Sequence, residues 1–179
     1  MTHKYNLLPL AVERAHYWHS GQTRNYNGLP YIVHPLAVLE LVRCVTDHEP
    51  TLCIAVLHDV MEDQGITKKQ LVDIFGNEIA DGVDWLSVKT TKADGNRATR
   101  KRIDRERLSN APSGVQTVKV ADIIHNCSAI LDESPSFART YVPEKRLQLD
   151  VLTKADEFLW QMADTELRHL EDCLRQMEQ

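Results

Sequence analysis

The chain has 179 residues, with 21 Lys and Arg against 26 Asp and Glu, and so carries a formal charge of −5 at pH 7. That length suits one compact domain of roughly 100–200 residues, and a composition 42 % apolar and 26 % charged excludes intrinsic disorder. The acidic balance argues against a nucleic-acid coat, which needs a broad excess of Lys and Arg, and no apolar run is long enough to span a bilayer.

The opening Met1-Thr-His-Lys-Tyr5 lacks the apolar core and small-residue cleavage site of a leader. The four cysteines, Cys44, Cys53, Cys127 and Cys173, are scattered without a CxxC pair and read as buried, reduced thiols. A cytoplasmic protein is expected.

Helical periodicity runs through almost the whole chain. It predicts a first helix over 5–20, a polar loop over 21–30, and a second helix from Pro35 to about Val45, since proline suits a helix start. A third helix is expected from Pro50 to Glu62, stopped by Gly65. Thr67 and Gln70 have the spacing of a capping box, and Gly76 that of a C-cap. Further helices are expected over 77–86, 97–109, 115–131, 144–163 and 166–178, the last carrying Leu167, Leu170, Leu174 and Met177 as one core-facing stripe. The fold class is therefore all-α, a single helical domain over 1–179 with 144–179 as C-terminal helices packed on it.

The informative residues are polar ones in apolar surroundings. The run Leu57-His58-Asp59-Val60-Met61-Glu62-Asp63 places four ionisable side chains on or just past a core-like helix. Spacings of three and four bring His58, Asp59, Glu62 and Asp63 onto neighbouring surface positions. An unpaired buried carboxylate costs several kcal/mol, and a cation would satisfy it. Asp122 stands among Val120, Ala121, Ile123 and Ile124, with Asn126 one turn on, and His34 sits between Tyr31-Ile-Val33 and Pro35. Imidazole with carboxylate is a mixed nitrogen and oxygen set, acceptable to zinc, manganese or iron, whereas calcium takes oxygen alone.

His34, then His58-Asp59, then Asp122 resembles the H…HD…D signature of the HD-domain metal-dependent phosphohydrolases. The finer resemblance is to the hydrolase domain of the RelA/SpoT alarmone enzymes and the single-domain small alarmone hydrolases. It rests on His19-Ser-Gly-Gln-Thr-Arg24, Gly28-Leu-Pro-Tyr-Ile-Val-His34-Pro35, Ala55-Val-Leu-His-Asp-Val-Met-Glu-Asp63, Phe75-Gly76 and Lys119-Val-Ala-Asp122-Ile-Ile-His-Asn126, in the family's order. The resemblance implies a helical HD domain and a manganese-dependent hydrolase that removes the 3′ pyrophosphate of ppGpp or pppGpp. By the same resemblance His34, His58, Asp59 and Asp122 are metal ligands, Glu62 and Asp63 the catalytic acidic pair, Arg24 the residue packing on guanine and Asn126 a nucleotide contact. Asn25 stands where the family often has a second basic residue, and the Asn25-Tyr26-Asn27 segment departs from the family pattern.

Eight basic residues against three acidic ones between Lys89 and Arg107 give that stretch about +5 and leave the remainder about −10. It reads as a solvated helix face, with Lys89, Lys92 and Arg97 as candidates to hold a polyphosphate. Tyr31 is expected to pack under the site and His19 to brace the loop. Lys145 and Arg146 read as a C-terminal helix surface, with contact to a phosphate as the alternative, and His3, His16, His48 and His169 as solvent-facing. The partner expected is a small nucleotide, with no nucleic acid, no membrane and an oligomeric state left open. Rival readings on the same residues are a phosphatase of another nucleotide, such as NADPH 2′-phosphate or a deoxynucleoside monophosphate, and a nucleotide sensor without turnover.

Overall fold

The structure is a computed structural model that describes residues 6–24, 28–128 and 130–177. The N-terminal pentapeptide, His3 and the Asn25, Tyr26 and Asn27 departure lie outside those residues. The described residues are helical, with one isolated bridge between Thr23 and Pro30 across the first loop and no strand. The all-α expectation holds. Among the described residues no helix is long and apolar enough to cross a membrane. The chain divides into two compact units, Met1–Ser87 and Val88–Gln179.

The first unit holds α1 (Leu7–Trp18), α2 (Val33–Arg43), α3 (Glu49–Leu57), α4 (Val60–Gln64), α5 (Lys68–Phe75) and α6 (Asn77–Leu86). α1 starts at Leu7, later than its periodicity suggests, because two side-chain acceptors close its first turn there. The Asn6 side chain accepts from the Leu8 amide at 3.2 Å, and Glu49 Oε1 accepts from the Leu7 amide at 2.5 Å. Every residue from Thr51 to Leu57 is buried, so α3 is apolar all round and serves as the core against which α1, α2 and α6 pack. The expected helix over 50–62 is broken: α3 ends at Leu57, and His58 and Asp59 stand between it and α4. The Thr67 and Gln70 capping box is formed as expected, and Gly76, at φ +82°, makes the turn from α5 into α6 that a side chain would strain.

The second unit holds α7 (Arg97–Ser109), α8 (Ser113–Cys127), α9 (Ile130–Glu133), α10 (Pro135–Leu149) and α11 (Glu157–Gln176). The expected helix ends over 115–131 and 144–178 are corrected here. Ser128 separates α8 from α9, and Pro143 lies inside α10 rather than before it. The next break falls at 150–156, where the Asp156 carboxylate accepts the Leu159 amide at 3.1 Å and starts α11. Leu167, Leu170 and Leu174 are buried as the stripe predicts, whereas Met177 is exposed. All four cysteines are free, but Cys44 is exposed and Cys173 only partly buried, so the buried-thiol expectation holds for Cys53 and Cys127.

α8 carries the core of this unit through Val115, Val118, Val120, Ala121 and Ile123, and it packs on α11. Gln116, wholly buried, ties the unit together. Its Nε2 donates to the Leu108 carbonyl at 3.0 Å and the Ser109 carbonyl at 3.1 Å, and its Oε1 accepts the Lys154 amide at 2.8 Å. A buried amide with partners on both ends is costly to delete, because those partners stay buried without it. Gln116→Leu is expected to lower stability by about 2–3 kcal/mol, a Tm drop of roughly 5–10 °C in thermal denaturation followed by circular dichroism.

Candidate metal centre

Because α3 lies inside the core, its last carbonyls have no water to bond and need partners from the chain. The Ala55 carbonyl finds one in the His58 ring, whose Nδ1 lies 2.8 Å away. A carbonyl only accepts, so Nδ1 carries the proton and Nε2 keeps its lone pair. His58 is 2 % exposed and His34, near the start of α2, is 1 % exposed.

The ring nitrogens and the Asp59 carboxylate converge. His58 Nε2 lies 3.0 Å from Asp59 Oδ2, His34 Nε2 lies 3.4 Å from the same oxygen, and the two Nε2 atoms are 3.2 Å apart. His34, His58 and Asp59 thus offer one ligand atom each, all within 4.8 Å of one another. Two imidazoles and one carboxylate, with the His58 tautomer already set by the Ala55 carbonyl, fit a divalent transition metal.

Tyr31 does more than pack under this group. Its hydroxyl donates to Asp59 Oδ2 at 2.5 Å, and its ring meets His34 edge-on and His19 at a tilt. Burial, then the charge of Asp59 and further that of Asp63, drive the Tyr31 phenol far above its ordinary range. It is therefore a fixed donor that orients the Asp59 carboxylate.

The next turn carries Glu62 and Asp63, both exposed on α4. Asp63 is held from the loop side, where Gln22 Nε2 donates to its Oδ2 at 2.8 Å. Gln22 Oε1 in turn meets His19 Nδ1 at 2.6 Å and accepts from Gln64 Nε2. So His19 braces the loop as expected, through Gln22, and its own Nε2 is buried without a hydrogen-bond partner. The roles of Gln22 and Gln64 are missed by sequence reasoning: Gln22 lies in the loop after α1 and Gln64 at the end of α4, and no local pattern ties either to Asp63. Arg24 is partly buried at the loop base, its backbone paired with Leu29 and Gly28.

Asp122 and Asn126 lie on α8 of the second unit. Asp122, 4 % exposed, is held by its own helix: Lys119 Nζ stands 2.8 Å from Oδ2, and Asn126 Nδ2 donates to Oδ1 at 2.5 Å. Cys127, one residue on, is buried, and burial pushes its thiol up to about 12, so it is a protonated core group. Of the basic stretch, Lys89 and Lys92 are exposed. Arg97 forks onto Glu144 with Nε at 2.6 Å and Nη2 at 2.8 Å.

A family model described as an HD domain matches residues 11–142, parts of both units. Two curated relatives are named probable guanosine-3′,5′-bis(diphosphate) 3′-pyrophosphohydrolases. The one from Synechocystis sp. is 30 % identical over 169 residues, 88 % of this chain and 22 % of that protein. The one from Mycoplasma pneumoniae is 33 % identical over 138 residues, 69 % of this chain and 18 % of that protein. The chain thus spans about a fifth of the length of these relatives. A solved structure of a metazoan ortholog of SpoT that hydrolyzes ppGpp superposes with a TM-score of 0.81 at 22 % identity, covering 94 % of this chain and 98 % of that one. This likeness is one of fold.

Removing the Tyr31 hydroxyl while keeping its ring isolates its effect on Asp59. Tyr31→Phe is expected to weaken Mn²⁺ binding by about 10–100-fold in calorimetric titration, with the helical circular-dichroism signal retained. An unchanged affinity would remove Tyr31 from the centre.

Proposed function

The chain belongs to the HD domain family, and we propose that it is a metal-dependent (p)ppGpp 3′-pyrophosphohydrolase, releasing pyrophosphate and leaving GDP or GTP. The observation that carries this reading is the His34, His58 and Asp59 triad, followed one turn later by the exposed pair Glu62 and Asp63. The names of the bacterial relatives support the substrate. The reading takes 1–179 as one HD hydrolase domain, with Asp122 as fourth ligand by its place in the motif order.

Bound there, a divalent cation supplies an acidified water and neutralises phosphoryl oxygens. The nitrogen and oxygen donors suit manganese. The chain's own residues do the rest. His58, its proton fixed on Nδ1 by the Ala55 carbonyl, presents Nε2 as a ligand without a competing tautomer. Glu62 and Asp63 orient or deprotonate the attacking water and assist the leaving group. Gln22 holds Asp63 in place for that work. Arg24 packs on the base and Asn126 contacts the nucleotide, while Lys89, Lys92 and Arg97 hold phosphate. The free cysteines suit a reducing cytoplasm.

With Mn²⁺ and ppGpp, the purified protein is expected to release pyrophosphate rather than phosphate, resolved by anion-exchange chromatography. Asp59→Asn should abolish turnover and metal binding together. Glu62→Gln and Asp63→Asn should each lower kcat by about 10²–10⁴ with metal binding kept. Release of phosphate from NADPH or a deoxynucleoside monophosphate, with ppGpp inert, would replace this substrate by another on the same centre.

A further inference from the structure

The second unit holds a group of cations that outnumbers its carboxylates. Lys145, on α10, was expected at a helix surface beside Arg146, and the structure separates the two. Arg146 is spent on structure, with Nη1 2.5 Å from Asp164 and Nε 2.9 Å from Glu171. Lys145 is half-buried, and its ammonium lies 4.9 Å from the centroid of the Tyr141 ring and 3.1 Å from the Gln148 side-chain oxygen. Among the described residues neither Lys145 nor Lys101 has a carboxylate within ion-pair distance.

The nearby charges make the imbalance plain. Burial pulls the Lys145 ammonium down to about 8, Lys119 and Lys101 add to that, and Asp122 opposes it. Burial would raise Glu144, but the Arg97 fork, with Lys101 and Lys145 behind it, holds that carboxyl below its usual range. Arg97, Lys101, Lys119 and Lys145 thus face three carboxylates, Glu144, Asp122 and Asp104, the last lining the same cavity as Arg97 and Lys101. Both oxygens of Glu144 are taken by Arg97, and those of Asp122 by Lys119 and Asn126. Lys101 also lines a cavity of about 390 Å³ with Lys92, Arg97, Arg100 and Asp104, whose Oδ2 accepts from the Thr90 hydroxyl at 2.9 Å. The Tyr141 ring face and the Gln148 oxygen offset part of the cost of half-burying the Lys145 ammonium, and an anion would offset more of it. Lys145 adjoins Glu144, whose carboxylate is bonded to Arg97 of that cavity's wall.

We propose that Lys145 and Lys101, backed by Lys119, form a subsite for a pyrophosphoryl group. Two unpaired ammonium groups match its multiple negative charge, and lysine donates to it as a point charge. The subsite deepens the function proposed above, since the substrate carries two pyrophosphoryl groups, and it rests on that reading for its role in turnover. It makes Lys145 a substrate-binding residue that acts on affinity rather than on the chemical step.

The test separates the two claims by measuring binding without metal. Inorganic pyrophosphate is titrated calorimetrically into metal-free protein kept in a chelator, for the wild type, Lys145→Met, Lys145→Arg and Lys69→Met. Lys69 is an exposed first-unit lysine paired with Asp73 and serves as the control for net charge. Lys145→Met should weaken binding by about tenfold or more, Lys145→Arg should retain most of it, and Lys69→Met should match the wild type. In Mn²⁺-supported ppGpp turnover, Lys145→Met should raise KM with kcat held within a few-fold. No binding by the wild type, equal binding by Lys145→Met, or an equal loss in Lys69→Met overturns the subsite. Loss of pyrophosphate binding in Lys145→Met, with ppGpp inert, leaves the subsite standing and removes the substrate. If Lys145→Met unfolds, Lys145→Arg decides, because its charge-retaining side chain must keep binding for the subsite to stand.

Discussion

The end of a buried helix creates a demand, and the His58 ring answers it. α3 has Thr51 to Leu57 inside the core, so its terminal carbonyls must be bonded by the chain. The ring takes the Ala55 carbonyl on Nδ1 and thereby points a lone pair at His34 and Asp59. One hydrogen bond therefore closes the helix and fixes the tautomer that a metal needs. The break at His58 and Asp59 also turns the chain, so that α4 carries Glu62 and Asp63 as the next residues in reach. Fold and centre share a single joint, and a longer α3 would lose both.

A buried carboxylate and a partly buried one are treated in opposite ways. Asp122 draws its partners from its own helix, Lys119 three residues before and Asn126 four residues after. That satisfaction is local and forms whenever α8 forms. Asp59 depends on Tyr31, 28 residues earlier, and on two imidazoles that cannot both donate to it while one is fixed as an acceptor. Its Oδ2 is thus held by contacts from separate elements, and a cation bound there would meet the two Nε2 atoms beside it. Asp122 is prepared by its helix; Asp59 is prepared by the fold of its unit.

How much of this the sequence disclosed follows from the range of each interaction. Charged residues inside apolar runs are visible, because burial makes them anomalous, and so His34, His58, Asp59 and Asp122 could be picked out. Capping at Thr67 with Gln70 is equally visible, being written within four residues. The break between α3 and α4 is hidden, since helical periodicity runs through His58 without interruption, and the ring's bond to the Ala55 carbonyl at the helix end has no sequence pattern. Pro143 misleads for a related reason: its local meaning is a stop, and α10 continues through it. The Gln22 bond to Asp63 and the Arg97 fork on Glu144 span 41 and 47 residues, and no pattern within a helical turn encodes them.

The charge balance shows why a net value says little about a ligand. The basic stretch at 89–107 is partly cancelled in place, with Arg102 on Glu106 at 2.5 Å and Arg97 on Glu144. Exposed pairs such as Arg102 with Glu106 contribute little and leave the surrounding field largely intact. The half-buried ammonium of Lys145 is different, because low dielectric strengthens both its penalty alone and its attraction to an anion. A chain of net −5 can therefore hold a polyphosphate where a few cations are withdrawn from water and from their own carboxylates. Recognition of a small anion is decided by which charges the fold leaves unpaired, and the total enters only at distances where salt has already screened it.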